Sequence, residues 1–179
     1  MYPLIGRPIV DAMVELHDFG DDAEHRDTVI THYRDTLKAA VDEAGDELVL
    51  PGVVEMLREL RSAGFQIGVV TAKGADAADQ LLAITRLDRF VEVLVTTDDV
   101  AKGKPAPDSA LLGLEKLGAG ADTTWYVGDA ASDIAMAHAA GMPAIGITTG
   151  AATREELGEA EYVVDTPAEV TALLLGPAA

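Results

Sequence analysis

From residue 48 onward, short runs that are apolar on nearly every residue alternate with longer segments whose apolar residues recur every three or four positions. Ile67-Gly68-Val69-Val70 and Val91-Glu92-Val93-Leu94-Val95 are runs of the first kind. A strand that is apolar on successive residues is covered on both faces. Strands that alternate with helices build a parallel sheet flanked by helices. The expectation is therefore an α/β chain with a Rossmann-like parallel sheet and helices on both faces. Strands are expected over 65–71, 91–95, 125–127, 143–148 and 162–164. Helices are expected over 53–63, 75–84, 108–117, from the turn at Gly128-Asp129 to Ala140-Gly141, over 153–157 as a short piece, and over 167–175. Gly64 and Gly118 stand where helices should stop.

Residues 1–47 read differently, as a helical segment without a strand signal. A short helical pattern over 8–17 carries Ile9, Ala12, Met13 and Leu16 on one face. Asp18-Phe19-Gly20-Asp21-Asp22 is a loop with a capping acid. A long helix over 23–44 follows, its apolar face formed by Val29, Ile30, Tyr33, Leu37, Ala40 and Val41, with Gly45 as its C-cap. His17, His25 and His32 fall here at spacings that match no metal motif, and surface or packing roles suit them.

Charge and composition narrow the function. A formal net charge of −18 repels nucleic acid and anionic membranes. It also repels anionic substrates, so a phosphate site needs a local lysine, a helix N-terminus or a metal ion. No cysteine is present, which excludes disulfides, thiolate metal sites and cysteine nucleophiles. No apolar run is long enough to span a bilayer, and Met1-Tyr2-Pro3-Leu4-Ile5-Gly6-Arg7 lacks the order of a signal peptide. The expectation is a cytoplasmic protein with no nucleic-acid or membrane partner.

Chemistry-bearing residues cluster at expected strand ends. Trp125-Tyr126-Val127-Gly128-Asp129 reads as strand and tight turn, and Asp133 follows about one helical turn later. Two carboxylates aimed at one point call for a hard cation such as Mg²⁺. An acidic helix start is the plainer reading of the same residues. Thr71, at the end of the first strand, offers a hydroxyl, and the turn Ala72-Lys73-Gly74 offers backbone N–H groups for phosphate oxygens; Thr71 as a helix N-cap is the plainer alternative. Lys104, in Lys102-Gly103-Lys104-Pro105-Ala106-Pro107, offers a point charge to a phosphate, or is a solvated loop lysine. His138, inside the helix after Asp133, reads as packing. In a parallel sheet all strand C-termini share one edge, so Thr71, Ala72, Lys104, Asp129 and Asp133 can converge into a set suited to phosphoryl transfer. No nucleophile elbow, Walker loop or dinucleotide-binding glycine motif is present.

Taken in order, these segments resemble the haloacid dehalogenase-like hydrolase superfamily, in its phosphoglycolate phosphatase-like branch with a helical cap. Val69-Val70-Thr71 matches the second motif, with Lys73 where this branch often has lysine. Lys104-Pro105-Ala106-Pro107 matches the third, and Gly128 through Met142 matches the fourth, G-D-x-x-x-D-x-x-x-A-x-x-A-G-M. Ile5-Gly6-Arg7-Pro8 and His32-Tyr33-Arg34 resemble parts of the cap. The resemblance implies a partial helical cap over 1–47 and an α/β core over 48–179. It implies Mg²⁺-dependent hydrolysis of a small phosphorylated metabolite, phosphoglycolate first, through an aspartyl-phosphate. Thr71 and Lys104 would be catalytic and, with Ala72, phosphate-binding; Asp129 and Asp133 would hold Mg²⁺. Arg7 is a candidate for the leaving group, with a surface role as the plainer reading.

The family's first motif, D-x-D, which supplies nucleophile and general acid, has no counterpart here. Asp11 lies mid-helix in this reading, and Asp18 to Asp22 follows a helix at the wrong spacing. The chain is therefore expected to lack the family's first strand, central between those ending at Thr71 and Asp129, and to read as a shortened phosphatase. An upstream reading frame lacking D-x-D would overturn that. Either the two strands close up and pair, or another chain, as in a homo-oligomer, fills the gap. The alternatives are an inactive phosphate- or Mg²⁺-binding or interaction protein, and another activity on the same fold such as phosphoglucomutase, phosphonate hydrolase or, disfavoured by the paired acids, dehalogenase.

Overall fold

The structure, a computed structural model, describes residues 22–150 and 152–176. The helix expected over 8–17, the turn near Arg7, and Asp11, His17 and residues 18–21 of the loop lie outside the described residues. Helices α1 (Ala23–Ala44), α2 (Val53–Ser62), α3 (Ala75–Ile84), α4 (Asp108–Leu117), α5 (Ala131–Ala139) and α6 (Pro167–Leu175) and strands β1 (Gly68–Val70), β2 (Val93–Val95), β3 (Tyr126–Gly128), β4 (Ala144–Ile147) and β5 (Tyr162–Val164) follow in the order α1-α2-β1-α3-β2-α4-β3-α5-β4-β5-α6. The α/β expectation holds, and every pairing is parallel.

Local signals set the helix ends. Asp22 Oδ1 accepts from the N–H of His25 at 2.8 Å, capping α1. Gly118 ends α4 with φ +65°, and Ala119 N–H returns to Leu114 C=O at 3.0 Å, the hydrogen bond of a Schellman turn. A Cβ at Gly118 would meet nothing within 4 Å. Gly118→Ala is thus a pure backbone test. It is expected to cost about 1 kcal/mol, seen as a melting temperature lower by roughly 2–4 °C; an unchanged melt would mean that this turn is not the helix stop.

The β4 strand is the centre of the core. Ala144 and Gly146 face Ile134, Met136 and Ala137 of α5, Ala110 and Leu114 of α4, and Leu157. Ile145 and Ile147 face the other way, onto Met56 of α2 and Val170 and Leu174 of α6. This two-sided burial is what the continuous apolar run of β4 anticipates. The short helix expected over 153–157 is instead a run of turns over 154–159. Leu157 N–H bonds Thr153 C=O at 3.1 Å, Glu156 accepts from Thr153 N–H at 2.8 Å, and further turns close from Gly158 N–H to Glu155 C=O and from Ala160 N–H to Leu157 C=O.

Two findings depart further from the sequence. The apolar face of α1 buries only Ile30, and Leu37 is 38% exposed, because among the described elements α1 meets little beyond α3 and the turn at Gly45. The strands form two sheets, β1-β2 and β3-β4-β5. β1 and β3 therefore do not close up and pair, as one alternative expected. Side chains join them instead: Tyr126 of β3 and Lys104 both reach the Val70 carbonyl of β1. Among the described residues no helix is long and apolar enough to cross a membrane.

Candidate active site

Lys104 is the hub. Its ammonium donates to Asp133 Oδ1 at 2.7 Å, to the Tyr126 hydroxyl at 2.9 Å and to the Val70 carbonyl at 3.0 Å. The Lys104 and Asp133 side chains are only 10% and 8% exposed. The solvated-loop reading of Lys104 is thereby set aside: the loop after β2 folds back over the sheet edge and buries its lysine. Burial holds the Tyr126 phenol well above its ordinary value, reinforced by the Asp133 carboxylate, so it stays a neutral hydrogen-bonding group.

Asp133 lies in the first turn of α5, where its Oδ2 accepts from Ala130 N–H at 3.2 Å. The plain reading, an acid stabilising a helix start, is therefore correct for this oxygen, and the other oxygen pairs with Lys104. Gly128 makes the turn possible by absence of a side chain: a Cβ there would sit 2.4 Å from Asp133 Cβ. Nearby, the Ser132 hydroxyl is buried without a hydrogen-bond partner in the described structure.

Asp129 follows β3 on the open side of the site. Partial desolvation raises its carboxyl above the ordinary value, and the charge of Asp133 raises it further, against a smaller opposing effect of Lys104. A raised carboxyl binds its proton more tightly in the fold than in the unfolded chain. Stability accordingly falls as pH rises through the interval between the ordinary and the raised value, and the penalty is complete above it. Asp129→Asn, measured in chelator, is expected to melt slightly higher than the parent at neutral pH. The gain should stay under ~1 kcal/mol because the side chain is solvent-open, and vanish as pH drops below the ordinary carboxylate range. A lower melt at neutral pH would show that this carboxylate is already compensated.

Thr71 and Ala72 line a small cleft with Gly103, Lys104, Thr96, Thr97, Val100 and Ser109. The Thr71 hydroxyl accepts from Lys73 N–H at 3.2 Å, so Thr71 shapes the turn and is not the N-cap of α3, a place taken by Gly74. The first N–H of α3, at Ala75, is held by Asp98 Oδ2 at 2.7 Å. Tyr126 and Asp98 were not legible as site residues in the sequence; a tyrosine in a strand and an acid after one carry no motif. Thr71, Ala72 and Lys104 share one cleft, Lys104 is paired with the buried Asp133, and Asp129 lies near enough for both of those charges to act on its carboxyl. Among the described residues no group of three or more acids or histidines is placed to hold a metal.

Residues 1–147 match the family model described as haloacid dehalogenase-like hydrolase. The chain is 36% identical over 168 residues to "Probable phosphatase IndB" of Dickeya dadantii, covering 93% of this chain and 73% of that protein. It is 32% identical over 146 residues to the phosphoglycolate phosphatase of Escherichia coli, covering 82% of this chain and 55% of that one. The crystal structure of a hydrolase from Pseudomonas syringae superposes with a TM-score of 0.78 at 26% identity, over 99% of this chain and 82% of that one.

Proposed function

We propose that this chain, which belongs to the haloacid dehalogenase-like hydrolase family, carries the phosphate- and metal-binding half of an Mg²⁺-dependent phosphatase for a small phosphomonoester such as phosphoglycolate. The observation that carries the reading is the buried Lys104–Asp133 pair at the strand edge, with Asp129, Thr71 and Ala72 around it. The names of the relatives support a phosphatase; phosphoglycolate is the first substrate to test because one of them is named for it.

The donor set fits Mg²⁺. That ion keeps several waters and needs only one or two carboxylates, and Asp129 offers a charge-crowded carboxylate that no described cation neutralises by a hydrogen bond. Asp129 would hold the ion directly, and Asp133, whose oxygens are already bonded, would act through water or by steadying Lys104. Bound Mg²⁺ would neutralise charge on the phosphoryl oxygens. Thr71 Oγ1, the Ala72 N–H and Lys104 would orient those oxygens and offset the charge that builds on them. In this reading the nucleophilic aspartate arrives on a strand seated between β1 and β3, where Lys104 and Tyr126 now cross over to Val70. Residues 1–47 would form the cap.

A binding-only reading is favoured by one fact: all three donors of the Lys104 ammonium are taken by protein acceptors. One experiment separates the two. Phosphate release from phosphoglycolate and an aryl phosphate is followed with Mg²⁺ and with chelator, beside Mg²⁺ titration calorimetry, for the parent and Asp129→Asn. Release that needs Mg²⁺ and Asp129 means this chain supplies its own nucleophile. Binding of Mg²⁺ that Asp129→Asn abolishes, without release, means a binding half, to be complemented by a first strand bearing D-x-D. No Mg²⁺ binding by the parent sinks the metal reading.

A further inference from the structure

The loop after β4 touches the site at a residue no motif marks. Thr148 is pinned to β5: its N–H donates to Val164 C=O at 3.0 Å and its hydroxyl to Asp165 at 2.6 Å. Asp165 is in turn held by Arg154 at 2.7 Å, and the Thr148 hydroxyl, followed by the Arg154 charge, keeps its carboxyl below the ordinary value. Two residues past this anchor, the backbone of Gly150 lies directly against Asp129. A Cβ on Gly150 would fall 1.8 Å from Asp129 Oδ2, 2.5 Å from Cγ and 2.6 Å from Cβ. Turning the carboxylate does not relieve this, because the overlap includes Asp129 Cβ, which the backbone of the turn after β3 holds in place. Gly150 is not among the glycines with positive φ, so space rather than backbone conformation requires glycine here.

We propose that Gly150 is a positioning residue: its bare backbone is the wall that sets the direction of the Asp129 carboxylate, and so the affinity of the site for a divalent cation. The second half of this rests on the reading of Asp129 as the metal-bearing carboxylate; the first half does not. The wall and Asp129 come from different strands, so the β3–β4 register, Gly128 opposite Gly146, fixes how they meet.

The test is a double-mutant cycle on the full chain: parent, Gly150→Ala, Asp129→Gly and the double variant. Thermal unfolding in chelator reads the contact, and titration with Mg²⁺ alone reads the consequence. Gly150→Ala is expected to lower the melting temperature of the parent and leave Asp129→Gly unmoved, since removing the Asp129 side chain removes the overlap. It is expected to weaken Mg²⁺ binding by about 10- to 100-fold, as for groups that orient a ligand. An equal melting loss in both backgrounds, or parental Mg²⁺ affinity in Gly150→Ala, overturns the proposal. If the parent binds no Mg²⁺, the functional reading of Asp129 falls while the unfolding cycle still decides whether Gly150 positions it. If Gly150→Ala fails to fold, recovery in the double variant supports the contact and failure there overturns it.

Discussion

Lys104→Met is expected to destabilise the fold by about 3–5 kcal/mol, the usual cost of stranding one member of a buried ion pair. The Asp133 carboxylate, with its side chain 8% exposed, would keep only the Tyr126 hydroxyl at 3.3 Å and the Ala130 N–H at 3.2 Å. The Val70 carbonyl and the phenol oxygen would lose a charged donor in the same step. Against a total stability of roughly 5–15 kcal/mol, the melting temperature should drop by roughly 6–20 °C. Adding Asp133→Asn removes the stranded charge and should recover much of the loss, giving a cycle with strong positive coupling. Independent, additive losses would show that the pair contributes nothing as a pair. The same variant should bind inorganic phosphate poorly if Lys104 supplies the cation of the site.

Gly128→Ala is expected to be nearly as damaging, for a steric reason. The new Cβ would sit 2.4 Å from Asp133 Cβ and 2.8 Å from both Cγ and Oδ2. Retreat of α5 is blocked behind Asp133, where Ile134 is 2% exposed and Met136 and Ala137 are fully buried. Overpacking of this kind costs about 1–3 kcal/mol, and displacing Asp133 also loosens its bond to Lys104. Urea or thermal unfolding reads the total. A specific pattern identifies the cause: the cost of Gly128→Ala should persist over Asp133→Ala, which keeps the offending Cβ, and shrink over Asp133→Gly, which removes it. An equal cost in both backgrounds would place the strain elsewhere, in the backbone of the turn itself.

Two glycines thus act by what they lack. Gly128 admits Asp133 and Gly150 admits Asp129, so each acid has a glycine opposite it. Only the first was legible in the sequence, as the glycine of a strand-to-helix turn. The second is reached through a loop on another strand, and nothing near Asp129 in the chain announces it.

The sequence by itself determined the local order. The expected helices over 23–44, 75–84, 108–117 and 167–175 coincide with α1, α3, α4 and α6, because periodicity, caps and terminal glycines act within a turn or two of the residues they govern. The shared cleft of Thr71, Ala72 and Lys104 was also legible, since parallel strands put all their C-termini on one side. Three strands were expected longer than they pair, 65–71, 91–95 and 143–148 against Gly68–Val70, Val93–Val95 and Ala144–Ile147, because apolar character at a strand end needs no partner across the ladder; the strand expected over 162–164 coincides with β5. Only the tertiary structure decided that Lys104 is buried on Asp133, 29 residues away, and that its remaining donors bind Tyr126 and Val70. It alone decided that β1 and β3 stay unpaired and that Leu37 and Ala40 of the α1 stripe stay exposed while Ile30 is buried. These outcomes depend on register and on which surfaces find a neighbour, and both are set by contacts between segments remote in sequence.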